Sequence, residues 1–169
     1  AFVENEKPIA LVVGSSMGGF ISAWLAVDRA DLVRTLTLMN AAGLYGANPS
    51  VVQKVAESGD NPLVASDDAA LRKLLGLLSY KPMRLPRFVR DFLLKGYQAH
   101  QALLDRIFWQ LVDAHDSEGL EPALARVRAP TLIVWGKEDQ VLDASCAVAY
   151  AQAIPGAQVV MLEQVGHVP

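Results

Sequence analysis

Residues 9–20, which read IALVVGSSMGGF, decide the fold of this 169-residue chain. Residues 9–13 form a continuous apolar run rich in β-branched side chains, which is typical of a parallel strand buried on both faces. A glycine-rich turn follows, and residues 20–27 then show a helical pattern. The predicted apolar stripe of that helix consists of Ile21, Trp24 and Leu25. The sequence therefore predicts a strand, a tight turn and a helix in immediate succession.

The turn contains a G-x-S-x-G pattern centred on Ser16, in which a sharp strand-to-helix turn exposes a serine oxygen as a nucleophile. Gly14 and Gly18 are expected to remove side chains that would collide at this turn. The N–H of Met17, at the helix start, is expected to point at a developing oxyanion. The alternatives are a glycine turn without chemistry and a phosphate-binding loop. The phosphate-loop patterns fail, because no Lys or Thr follows the glycines and no G-x-G-x-x-G is present.

The composition indicates one globular domain with a hydrophobic core, since 52% of the residues are hydrophobic and 20% are charged. A formal net charge of -3 and a pI of about 5.6 argue against a nucleic-acid-binding protein. The single cysteine, Cys146, excludes a disulfide framework. No apolar run approaches the roughly 18 residues that a membrane-spanning helix needs. No cofactor and no metal ion is predicted.

Three later apolar runs are predicted strands. They are residues 32–39 (LVRTLTLM), 131–135 (TLIVW) and 158–162 (QVVML). Together with residues 9–13 they predict an α/β fold of four parallel strands with flanking helices, because strands joined by helical crossovers pair in parallel.

Residues 44–128 lack strand signals and are predicted to form a helical cap between two parts of a core, residues 1–43 and 129–169. Ser66, followed by two aspartates, is the predicted N-cap of a cap helix. The apolar side chains of the cap helices either pack on one another and on the core or line an acyl pocket. A solvated face and contact with a lipid surface are the two interpretations of the basic residues. These are Arg84, Arg87, Arg90 and Lys95.

Ser16, Asp139 and His167 each lie just past the C-terminal end of a predicted parallel strand. In an open α/β sheet those ends share one crevice, so the three side chains are expected to meet there. A serine hydroxyl is a weak nucleophile at neutral pH and needs a histidine as general base. A buried carboxylate then fixes the imidazole tautomer. The sequence therefore predicts a catalytic triad in the order Ser, acid, His.

Other residues compete for two of these roles. Glu138 and Asp143 are alternative acids, whereas Asn40, which follows the second strand, is not a carboxylate. His100 and His115 lie in the predicted cap and do not follow a strand, so they are not expected to act as the base.

The motifs GSSMGG, WGKEDQVLD and GHVP resemble the nucleophile, acid and histidine segments of α/β-hydrolase-fold serine hydrolases. Within that superfamily the chain is most similar to monoacylglycerol lipases and related carboxylesterases. The similarity extends through NAAGL (40–44) and the cap segments LSY (78–80) and LP (85–86). The resemblance implies cleavage of a small-molecule acyl ester through an acyl-enzyme. Some members of the group carry an N-terminal membrane anchor.

The family pattern includes several strands before the nucleophile strand, an H-G-type loop that supplies a second oxyanion donor, and a helix after the histidine. None of these is found here, and the chain begins at Ala1. The resemblance therefore implies the C-terminal two-thirds of a domain, with a start that is processed or cut. The chain alone is expected to be inactive, with residues 9–13 at a sheet edge beside an uncovered apolar face.

Two further interpretations stay open. Meta-cleavage C–C hydrolases share the nucleophile turn, a similar cap and the acid turn, and some members of the fold bind ligands without catalysis. A dehalogenase is disfavoured, because position 16 is serine where that class has aspartate.

Overall fold

The computed structural model describes residues 10–81, 83–117 and 119–169, with residues 114–117 described by their backbone only. Ile9, at the start of the first predicted strand, lies outside the described residues. All four predicted strands are present. Their bounds are β1 Ala10–Ser16, β2 Val33–Ala41, β3 Thr131–Gly136 and β4 Gln158–Leu162.

The four strands form one parallel sheet in the order β1-β2-β3-β4. One row of the sheet runs through Gly14, Leu38, Ile133 and Val159, which are paired in register from strand to strand. Because all the strands are parallel, their C-terminal ends lie along the same edge of the sheet. The fold thereby places the segments that follow the strands beside one another, as the sequence predicted.

The helices occupy both the strand crossovers and the insertion between β2 and β3. Their bounds are α1 Met17–Asp28, α2 Val51–Ala56, α3 Asp68–Leu78, α4 Arg87–Ser117, α5 Leu120–Ala123 and α6 Ser145–Ala153, with a 3₁₀ turn at Leu124–Arg126. Leu120 and Leu124 pack into the same core as the sheet. The predicted boundaries after residues 43 and 128 stay a prediction.

The main core lies between the sheet and helices α1 and α6. Leu36, Leu38, Ile133 and Trp135 are its large, fully buried strand residues. The helices contribute chiefly small side chains and one tyrosine. They include Ala23, Ala26, Ala147 and Tyr150.

The predicted apolar stripe of α1 is wrong for two of its three residues. Ile21 is 57% exposed and Leu25 is 38% exposed, whereas Ala23 and Ala26 are buried against the sheet. The reason is the close approach of α1 to β2, since a Cβ added at Gly19 would lie 2.4 Å from the Cβ of Ala41. At that separation only small residues fit between helix and strand. Ile21 and Leu25 face outward, whereas Phe20 and Trp24 are partly buried and pack against the core.

Strand β1 lies at one edge of the sheet, as predicted. Leu11 and Val13, which alternate along it, are 70% and 64% exposed. The described residues thus present an apolar surface on β1, and Ile21 and Leu25 of α1 are exposed as well.

Helices α3 and α4 form a second, smaller core. Leu71, Leu74 and Leu75 of α3 are buried, and Leu93 and Leu94 of α4 pack against them. The N-cap of α3 is Asp67, whose carboxylate accepts a hydrogen bond from the Ala70 N–H at 2.8 Å, and not Ser66 as predicted. Within the described ranges, no helix has an apolar stretch long enough to cross a membrane, including the 31-residue α4.

Candidate active site

Ser16 is the last residue of β1 and immediately precedes α1. Its φ of 52° and ψ of -123° lie where non-glycine residues are strained, at a cost of about 1–3 kcal/mol. The turn is held by close backbone approach, since a Cβ at Gly14 would lie 2.3 Å from the Gly18 carbonyl oxygen. The predicted steric role of Gly18 is wrong, because a Cβ there meets nothing within 4 Å among the described residues. Gly19 has that role instead, against Ala41.

His167 lies in the segment after β4 and is buried. Its Nε2 is 2.9 Å from Ser16 Oγ, and its Nδ1 is 2.8 Å from Asp139 Oδ2. A carboxylate oxygen accepts hydrogen bonds, so Nδ1 carries the hydrogen and Nε2 is left to accept the serine hydroxyl. The structure therefore brings together the three residues that the sequence singled out.

The Asp139 carboxylate is buried in the turn after β3 and accepts four hydrogen bonds. Oδ1 accepts the backbone N–H of Val141 at 2.8 Å and of Leu142 at 3.0 Å. Oδ2 accepts from His167 and from Asn40 Nδ2, the latter at 2.5 Å. These donors fix both oxygens, so the carboxylate in turn orients the imidazole.

The two competing carboxylates contact other groups. Glu138 accepts the Val165 N–H at 2.9 Å and thereby holds the segment that leads to His167. Asp143 accepts the Ser145 N–H at 2.9 Å, at the start of α6. Asp139 is the carboxylate that meets the ring.

The sequence does not favour either of the two other histidines as the base. His100 is exposed on α4, and the side chain of His115 lies outside the described residues.

Asn40 is a site residue whose contact the sequence analysis did not predict. It is fully buried near the end of β2, and its φ of 43° is left-handed, a conformation that asparagine tolerates better than most residues. Its Nδ2 donates to Asp139, while its Oδ1 has no hydrogen-bond partner among the described residues. Its predicted position after the second strand placed it at the right edge of the sheet, but the hydrogen bond joins residues 99 positions apart.

Ser16 also lines a cavity of about 420 Å³ between the sheet edge and the insertion. Its walls come from β1, the segment after β2, α2, α4 and the turn after β3. The apolar lining residues include Leu44, Val52, Ala56, Leu63, Phe108, Trp109, Val112, Val141 and Leu142. Helix α2 was not predicted from the sequence. Its signal is SVVQ (50–53), which fits the capping-box pattern that the structure shows at Ser50 and Gln53.

Two other features bear on the chemistry of this region. Burial raises the pKa of the Cys146 thiol, which also lines the cavity, to about 12, so it is a poor nucleophile. Among the described residues, no group of His, Cys, Asp and Glu side chains could hold a metal ion. A larger cavity of about 500 Å³ is bordered by residues that include Asp31, Arg126 and Arg128, and none of the described residues that line it is a serine or a cysteine.

A nucleophile turn, a hydrogen-bonded Ser-His-Asp line and a parallel sheet together define a class of α/β proteins. A family model described as the alpha/beta hydrolase fold matches residues 5–169. The chain belongs to the α/β-hydrolase-fold family.

Among curated proteins, the chain is 35% identical to the monoacylglycerol lipase abhd6-B of Xenopus laevis, over 96% of this chain and 50% of that protein. It is 33% identical to Lipase 1 of Psychrobacter immobilis, over 94% of this chain and 50% of that protein. The chain spans about half the length of the curated relatives it matches.

Among solved structures, the chain is similar to a membrane phospholipase A described as a bacterial virulence factor, with 35% identity and a TM-score of 0.86. That match covers 93% of this chain and 50% of the other. A meta-cleavage product hydrolase, with 21% identity and a TM-score of 0.70 over 92% of this chain and 56% of its own, shares the fold.

Proposed function

We propose that this chain carries the nucleophile, base and acid of a serine hydrolase that cleaves carboxylic esters. Ser16 is the nucleophile, His167 the general base and Asp139 the residue that orients the base. The observation that carries the proposal is the 2.9 Å separation of His167 Nε2 and Ser16 Oγ in the wall of an apolar cavity. A nucleophile within hydrogen-bond reach of an oriented base is the arrangement that covalent catalysis requires.

In this mechanism Ser16 Oγ attacks the ester carbonyl carbon while its proton passes to His167 Nε2. The N–H of Met17, at the N-terminus of α1, stabilises the oxyanion of the tetrahedral intermediate. The intermediate then collapses, the bond to the alcohol oxygen breaks, and His167 returns the proton to the departing alcohol. Water repeats the sequence on the acyl-Ser16 ester, which releases the carboxylic acid and restores the serine.

The cavity supports a short or medium acyl chain as the group that is bound. Its volume lies within the range of roughly 300–1,000 Å³ that is usual for ligand pockets, and its walls are largely apolar. Monoacylglycerols and related short- and medium-chain esters fit this chemistry, in agreement with the names of the relatives.

The charge of the cavity disfavours a meta-cleavage product, which is a diketo acid. Among the described residues that line it, none is Lys, Arg or His, and the charged one is Glu57. A substrate carboxylate in this cavity would therefore lack a cationic partner and would meet a like charge.

The test combines covalent labelling with a substrate panel on the full-length protein. A fluorophosphonate probe is expected to label the protein, to fail on Ser16→Ala and to label the matched control Ser15→Ala, whose side chain lies on the exposed side of β1. Hydrolysis of monoacylglycerols and p-nitrophenyl esters is expected to exceed turnover of a vinylogous diketo acid.

Three results would contradict the proposal. Labelling that persists in Ser16→Ala would place the nucleophile elsewhere. Absence of labelling in the wild type would favour the non-catalytic ligand-binding interpretation. Preferred turnover of the diketo acid would favour the C–C hydrolase.

A further inference from the structure

Two aromatic side chains near the start of α4 are unusually exposed. Phe88 and Phe92 each have 75% of their surface accessible, the highest exposure among the large apolar residues of the described chain. They lie four residues apart on a helix and hence on the same side of it, one turn from each other.

The other side of this helix is already packed. Leu93, Leu94 and Tyr97 contact the α3 cluster of the small core. Arg90, also on the packed side, donates to Asp68 and to the Leu85 carbonyl, each at 2.8 Å. Helix α4 is thus held in place by other side chains and does not need Phe88 and Phe92. Incomplete packing of the helix therefore does not explain why these two side chains are exposed.

Basic residues flank the two phenylalanines in the sequence. Residues 83–95 contain four basic residues and one acidic residue, in a chain whose net charge is -3. Asp91 lies 3.7 Å from Arg87, and Arg90 is turned toward Asp68. We call the exposed set the cap patch. It consists of Arg84, Arg87, Phe88, Phe92 and Lys95.

We propose that the cap patch docks on the surface of an anionic lipid bilayer. Aromatic side chains insert at the boundary between headgroups and acyl chains, and neighbouring Lys and Arg pair with anionic headgroups. The positive charge of the patch favours an anionic bilayer over a second copy of the chain as its partner, because two copies of a basic patch repel each other. The proposal does not depend on the esterase function.

A site-specific fluorescent label tests the proposal. The chain has one cysteine, Cys146, which is buried and whose raised pKa protects it from alkylation, so an environment-sensitive dye can be placed on Phe92→Cys. Val148→Cys on α6, where Val148 is 54% exposed, is the matched control position. The probes are vesicles of phosphatidylcholine alone and of phosphatidylcholine with about one-third phosphatidylglycerol.

The dye at position 92 is expected to shift to the blue and brighten at least twofold on anionic vesicles, and the dye at position 148 to stay unchanged. The response should weaken on neutral vesicles and in high salt. In the labelled background, Arg84→Gln/Arg87→Gln/Lys95→Gln is expected to lower the vesicle partition coefficient roughly 100-fold, since each basic residue near such a surface contributes about fivefold.

Several outcomes would overturn the proposal. One is a dye at position 92 that does not respond to anionic vesicles, and another is an equal response at position 148. A response of position 92 to protein concentration in the absence of vesicles would instead identify the patch as an interface between copies. Circular dichroism of each variant shows that it is folded, which is expected because all the substituted side chains are exposed.

Discussion

At the scale of single residues, the proposed site depends on a short line of hydrogen bonds in a buried place. The ring of His167 meets Ser16 on one side and Asp139 on the other. In the full-length enzyme, Ser16→Ala or His167→Ala is expected to lower kcat about 10⁶-fold, and Asp139→Asn about 10⁴-fold. Steady-state ester hydrolysis measures this. Ser16→Ala with full activity would exclude the serine mechanism.

The same hydrogen bonds predict a pH dependence of the rate of ester hydrolysis. Only the neutral ring of His167 can accept the Ser16 proton, so kcat/KM is expected to rise with pH as the ring loses its proton. A pH–rate profile of the wild type supplies the reference for the next variant.

Asn40 is predicted to position Asp139 and so to act on the reaction through it. Asn40→Asp would place a second carboxylate against Asp139 Oδ2, where Asn40 Nδ2 now donates at 2.5 Å. The extra negative charge that this carboxyl pair carries once its shared proton is lost favours the protonated ring of His167, so the rising limb of the pH–rate profile should move to higher pH. Asn40→Ala is expected to lower kcat about tenfold, because it removes one of the donors that orient the carboxylate.

A purely structural role of Asn40 would lower kcat without moving the pH profile. Asn61, which donates to Asp105 at 3.0 Å in the cap, is the matched control. Asn61→Asp should leave the profile in place. A shift of the same size in both variants would contradict the positioning role.

At the scale of elements, helix α2 is expected to limit the length of the acyl chain. Ala56 lines the cavity, and Ala56→Phe would fill part of its volume of about 420 Å³. Activity toward a dodecanoyl ester should fall at least tenfold while that toward a butanoyl ester stays within threefold, since pocket contacts of this kind discriminate by roughly 10–200-fold. Val51→Phe, on the same helix but exposed, is the control. Equal loss on both esters would place the acyl chain elsewhere.

The helices and strands also show how much of the fold and of the site could be predicted from the sequence. Each strand is a short apolar run with clear limits, so strand positions and the sheet edge that carries Ser16, Asp139 and His167 could be predicted. The buried face of α1 could not, because the closeness of Gly19 to Ala41 selects small residues over a hydrophobic stripe. The contact of Asn40 with Asp139 depends on the register of β2 against β3, which no local pattern encodes.

At the scale of the whole molecule, the exposed apolar surface on β1 predicts self-association of residues 1–169 when they are expressed alone. Leu11 and Val13 project from an edge strand, which is a surface prone to pair with other chains. Leu11→Thr/Val13→Thr keeps two side chains suited to a strand and removes most of the apolar area. It is expected to raise the concentration at which oligomers form by at least about tenfold.

Sedimentation velocity over a range of protein concentrations measures this. Val148→Thr changes another exposed apolar residue, on α6, and is expected to leave the association unchanged. If the wild-type chain stays monomeric over that range, the exposed residues of β1 do not form an association surface. If instead Val148→Thr disperses the oligomers as well as the double variant does, the contact lies on another face. Association through β1 and docking through the cap patch involve separate surfaces. Leu11→Thr/Val13→Thr should therefore leave vesicle binding unchanged, and Arg84→Gln/Arg87→Gln/Lys95→Gln should leave self-association unchanged.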